Sequence, residues 1–132
     1  MQIKSVATLA TCLFLTSAVL PAYANDHGET NGHQLVQDEY KPGTKVTFDE
    51  DQDEVYDAVQ KGLIKPFSEL YDAVDTQLNG RVIKVELEKD DHQWFYELKL
   101  MYKNNVIKVK YNATTLGLTE LKGHNIIDVI KK

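Results

Sequence analysis

The chain has 132 residues, 20 of them acidic and 15 basic, for a formal net charge of −5 at pH 7. That balance argues against nucleic acid as a partner, because such binding rests on neutralising many phosphates with basic side chains. The length allows one small domain, and a single cysteine, Cys12, leaves no internal disulfide, so the domain must stand on its hydrophobic core.

The N-terminus reads as a bacterial secretory signal peptide over residues 1–24. Lys4 precedes an apolar run from about Val6 to Leu20; Pro21 breaks it, and Ala22-Tyr23-Ala24 makes a small-x-small cleavage site between Ala24 and Asn25. The run is shorter than the roughly 20 residues a membrane-spanning helix needs. The expected product is therefore periplasmic, without a stable membrane anchor after cleavage, and Cys12 leaves with the signal. Charge in the remainder is lopsided: residues 25–80 hold 13 acidic and 4 basic residues, residues 81–132 hold 7 and 10.

Residues 25–48 are rich in Gly, Asn, Asp and Thr and keep no apolar period, which reads as a flexible acidic leader. His27 and His33 stand among Asp26, Glu29 and Asp38, a composition that suits a small-ligand or metal carrier. A tight metal site needs preorganised ligands, so no metal ligand and no cofactor are assigned. The domain itself is expected over 49–123. Val55, Ala58 and Val59 share one helical face, and Gly62 follows as a C-cap would. Asp49, Asp51, Asp53 and Glu54 at its start oppose the helix dipole; the calcium-loop pattern, with its central Gly and final Glu, does not fit them. A second helix follows, with Phe67, Leu70, Tyr71, Val74 and Leu78 in one stripe, Pro66 at its first turn and Asn79-Gly80 at its end.

From Arg81 the period becomes two. Ile83, Val85 and Leu87, then Tyr96, Leu98, Leu100 and Tyr102, then Ile107, Val109 and Tyr111 alternate with polar residues, giving three half-buried strands. With Asp91-His92 central in a hairpin, 87 faces 96, 85 faces 98 and 83 faces 100. With Asn104-Asn105 central, 102 faces 107, 100 faces 109 and 98 faces 111. Two-residue turns favour Asn, Asp and other types that tolerate positive φ, so Asp90-Asp91-His92 reads as a turn, not as a catalytic pair. A fourth strand is expected near Leu118–Leu121. The tail 124–132 suits either a helical turn or an edge strand.

The landmarks Val55-Tyr56-Asp57-Ala58-Val59, Gly62-Leu63-Ile64-Lys65-Pro66-Phe67, Gly80-Arg81-Val82-Ile83-Lys84-Val85-Glu86-Leu87 and Trp94-Phe95-Tyr96-Glu97-Leu98 resemble the PepSY domain family in its small periplasmic form. The family's Asp-Ala-x-Thr-Gly turn is matched in outline by Asn112-Ala113-Thr114-Thr115, with Leu116 where Gly is usual and Gly117 one place late. The resemblance implies an α+β fold: two N-terminal helices packed on one face of a three- to four-stranded antiparallel sheet. It also implies a non-catalytic protein-binding or regulatory module, related to a domain in thermolysin-type protease propeptides, whose partner is an envelope protease or sensor. The residues agree with a non-enzyme. The mature chain lacks cysteine, and Ser68, its only serine, is explained by a local backbone bond in a helix's first turn. On the face away from the helices, Val82 opposite Met101, with Phe95 farther along, forms the candidate partner surface.

Overall fold

The structure is a computed structural model and describes residues 31–132; the signal sequence, the Ala24–Asn25 cleavage site and His27 lie outside the described residues. The elements are α1 (Gly32–Val36), β1 (Lys45–Phe48), α2 (Gln52–Gln60), α3 (Phe67–Gln77), β2 (Arg81–Asp90), β3 (Gln93–Tyr102), β4 (Asn105–Asn112), β5 (Leu118–Lys122) and α4 (Ile126–Val129). The strands form one sheet in sequence order. β1 runs parallel to β2, and the other neighbours are antiparallel.

This overturns the expected architecture of two N-terminal helices on a three- to four-stranded antiparallel sheet. The sheet is five-stranded and mixed, and its extra strand comes from the segment read as a leader. Lys45-Val46-Thr47-Phe48 alternates, but over only four residues, the shortest run that argues a strand, just after Pro42-Gly43. They become one because Val46 and Phe48 lie beside Val85 and Leu87 and pack against the core. A parallel pair needs a crossover connection, and α2 and α3 together provide it.

The rest of that segment is also tied down. α1 is capped by Asn31, whose side chain accepts from the Gln34 amide at 2.9 Å. Val36 is buried in the core, and the His33 ring stacks on Phe48 at 4.0 Å with Nε2 2.9 Å from the Glu50 carbonyl. Asp38 caps a helix 30 residues away, accepting from the Ser68 amide at 2.9 Å and the Ser68 hydroxyl at 2.7 Å. Ser68 is thus held by Asp38 rather than by a local backbone bond. The reason is visible at the N-cap of α3: Pro66 has no side-chain hydrogen bond to offer, and an incoming carboxylate both satisfies free amides and opposes the dipole.

α2 begins as its acidic start suggested, with Asp51 accepting from the Glu54 amide at 2.9 Å. It buries Val55 and Ala58; α3 buries Phe67, Leu70, Tyr71 and Val74. These side chains meet the inward residues Val85, Leu87, Tyr96, Leu98, Leu100, Ile107, Val109 and Tyr111, all 0 % exposed. Among the described residues no polar or charged side chain is fully buried. The Tyr96 hydroxyl donates to the Lys65 carbonyl and the Tyr111 hydroxyl to Gln77.

The first hairpin pairs Leu87 with Tyr96 and Val85 with Leu98, the register read from the sequence, and Asp91 and His92 sit at φ 51° and 67°. Two details differ. Ile83 is an extra residue in β2, so Val82, not Ile83, pairs with Leu100. Such a bulge reverses the alternation on one side of it: Val82 turns inward and is 7 % exposed. The second hairpin turns at Lys103-Asn104, φ 49° and 67°, so Leu100 faces Ile107, Leu98 faces Val109 and Tyr96 faces Tyr111. The expected register is off by two residues. A shift of two keeps every side chain on its face, so alternation alone cannot detect it.

His92→Gly is expected to be neutral or mildly stabilising, because Gly has no steric penalty at positive φ. His92→Val should lose about 1–2 kcal/mol, since branching at Cβ fits that region poorly. Urea melts of both variants check this; parent-like midpoints for both would show that the turn imposes no such strain.

After β4, Asn112 accepts from the Thr114 and Thr115 amides, and Leu116 takes the left-handed conformation at φ 59°. The tail resolves into the short α4, with an isolated bridge of Ile130 to Leu78 and Val129 in the core. Burial pushes the phenols of Tyr71 and Tyr111 up to about 12 and holds that of Tyr96 well above its ordinary value. The folded state therefore holds protons that the unfolded chain releases near pH ~10, so stability is intact below that pH and falls as pH rises towards ~12. Thermal melts should show a flat Tm up to roughly pH 9.5 and a drop above it, and Tyr111→Phe should make the drop smaller.

Candidate binding face

Cross-strand pairing arranges the face opposite the helices in rows. At one end Arg81, Met101 and Val106 stand side by side across three strands. The next row is Lys45, Lys84, Lys99, Lys108 and Lys122, one lysine from every strand of the sheet. Beyond it come Thr47, Glu86, Glu97, Lys110 and Glu120, and then Glu88, Phe95 and Asn112. With strands about 4.8 Å apart, the lysine row spans roughly 19 Å, and consecutive rows lie about 7 Å apart along the strands.

The three residues expected to form a partner surface do not come together. Val82 is in the core, turned there by the bulge at Ile83. Phe95 and Met101 are on the open face and half-buried, but six residues of one strand separate them, about 20 Å. Phe95 carries the Lys110 ammonium 4.6 Å from its ring centre. Met101 instead neighbours Arg81 and Val106, the latter 49 % exposed. Arg81 also borders a hollow of about 330 Å³ lined with Lys41, Thr44, Asp75 and Gly80.

Sequence reasoning missed Val106, Arg81 and the lysine row. Lys84, Lys99 and Lys108 are each legible as outward residues. Lys84 faces Lys99 in the register already read for the first hairpin, but Lys108, Lys45 and Lys122 join them through the register of the second hairpin, β1 and β5, and Arg81 reaches Met101 through the bulge; none of these shows in a period.

Like charges directly opposite one another on a sheet are destabilising, and this row contains four such contacts in succession. The neighbouring carboxylates offset part of it: Lys84 lies 3.7 Å from Glu86, Lys108 3.3 Å from Glu97 and Lys122 2.7 Å from Glu120. The last pair is hydrogen-bonded, which lowers the pKa of Glu120 and raises that of Lys122. Lys45 and Lys99 make no ion pair with a described residue. The acids also crowd each other. A hydrogen bond with Asp49 and partial burial raise the pKa of Glu86, while burial and the charge of Glu97 raise that of Glu88.

The residues with chemical potential lie elsewhere. His92 and His124 are exposed, His92 in its turn, and Ser68 is engaged by Asp38. His33, the described histidine of the expected acidic leader, is packed on Phe48. What the open face offers is charge and apolar contact in adjacent lines. In comparison with known proteins, no family model, no curated protein and no solved structure matches the chain.

Proposed function

We propose that the protein is an exported, non-catalytic binding module of the PepSY kind, which docks a protein of the cell envelope, a protease or a sensor, on the open face of its sheet. The observation that carries this reading is the row Arg81-Met101-Val106. It places a half-buried methionine and an exposed valine beside a cation on a face that the helices leave open. Met and Arg are favoured at contact cores, and exposed apolar groups on a charged sheet mark interaction sites.

The test uses two variants, Met101→Lys and Phe95→Lys, in a quantitative pull-down from periplasmic extract. Both replace outward side chains and should keep the parent's circular dichroism. Met101→Lys is expected to weaken capture of the specific partner by about tenfold or more, as loss of a central contact does, and Phe95→Lys to leave it unchanged. Equal capture by parent and folded Met101→Lys would remove this face as the site. N-terminal sequencing of the exported protein should begin at Asn25.

A further inference from the structure

The lysine row narrows what the partner must look like, on the reading that the open face binds protein. We propose that the segment docked there is an acidic amphipathic helix laid across the strands, its carboxylates over Lys45, Lys84, Lys99, Lys108 and Lys122 and its apolar stripe over Met101 and Val106.

Five aligned lysines make a line of positive charge that the domain itself only partly neutralises. Three lean towards glutamates on one side; Lys45 and Lys99 do not. On the other side, about 7 Å away, lies the apolar row. A ligand fitting this pattern has a line of anions beside a line of apolar groups, with the anions facing away from Glu86, Glu97 and Glu120, which would repel an anion shifted one row over. An α-helix presents such adjacent stripes. Spanning the row of roughly 19 Å takes about 13 residues at a rise of 1.5 Å each.

Other occupants fit less well. A plane of anionic lipid would face the glutamate row as well as the lysines. A simple polyanion would leave Met101 and Val106 uncovered. A second copy could offer the acidic α2, but that helix already buries Val55 and Ala58 in its own core.

The experiment measures fluorescence anisotropy of a labelled peptide of about 18 residues with glutamates and leucines in adjacent helical stripes. It is compared with a peptide of the same composition in scrambled order, with poly-glutamate and with phosphatidylglycerol vesicles. The striped peptide should bind, should weaken as salt rises, and should become helical on binding. The double variant Lys45→Gln, Lys99→Gln removes the two charges of the row that make no ion pair with a described residue and relieves like-charge contacts, so folding is not at risk. It should bind the striped peptide about tenfold more weakly with a shallower salt dependence. Met101→Gln should weaken binding while leaving the salt dependence as in the parent.

Equal binding of the scrambled peptide or poly-glutamate, binding to vesicles in place of peptide, or indifference to the lysine variant would overturn the proposal. The two readings fail separately. A partner captured from extract in a Met101-dependent but lysine-independent way refutes the acidic helix and keeps the face. Capture independent of Met101 refutes the face itself.

Discussion

Leu98→Ala should destabilise the protein by about 2–5 kcal/mol, the range for a buried leucine whose truncation leaves a cavity. Leu98 lies in the middle of β3, paired with Val85 on one side and Val109 on the other, and is 0 % exposed. The surrounding side chains belong to a sheet and to helices docked across it, so they have little freedom to collapse into the space. A domain of this size has a total stability of about 5–15 kcal/mol at best and no disulfide to support it, so the variant should be close to unfolding at 37 °C. Urea denaturation followed by circular dichroism measures the loss. Met101→Ala on the opposite face of the same strand is the control, expected within about 0.5 kcal/mol of the parent. Similar losses for both variants would mean that the inward and outward faces of β3 are wrongly assigned.

Gly32→Ala is expected to be the most damaging change in the segment that looks featureless in sequence. A Cβ at Gly32 would lie 2.3 Å from the Tyr56 amide nitrogen and 2.5 Å from the Gln52 carbonyl oxygen. Both are backbone atoms of α2, so no rotamer can relieve the clash; α1 must move away from α2. Overpacking of this kind typically destabilises by about 1–3 kcal/mol, and here the loss is bounded by whatever docking α1 contributes. Hydrogen exchange distinguishes local from global damage. The Leu35 and Gln37 amides, bonded to Asn31 and His33 within and at the end of α1, should lose protection, while β3 amides keep theirs. Unchanged protection of Leu35 and Gln37 would show that α1 is not held against α2 as described.

These two sites mark the division between what was readable in the chain and what was not. Leu98 belongs to an alternation that extends over the whole strand, and a period of two is a local property that any length of strand displays. The helical stripe of Phe67, Leu70, Tyr71 and Val74 is legible for the same reason, as is the turn at Asp91-His92, where residue types and pairing agree. Gly32 gives no such sign. Its need for a bare α-carbon arises only because another backbone passes over it, and that contact joins residues 20 or more apart in sequence.

The candidate site divides in the same way. Outward lysines on each strand follow from alternation. Their convergence into one row follows from the parallel docking of a four-residue strand and from a turn that begins at Lys103 rather than Asn104, while the extra residue at Ile83 sets Arg81 opposite Met101. By itself the sequence determined the two longer helices, the three long strands with their inward faces from Val85 onward, and the turn of the first hairpin, because each is set by neighbours along the chain. Only the tertiary structure decided the fifth strand, the inward turn of Val82 and the alignment of the charges. Each of these rests on register between distant segments, and side-chain alternation is blind to a shift of two and is broken by an insertion of one.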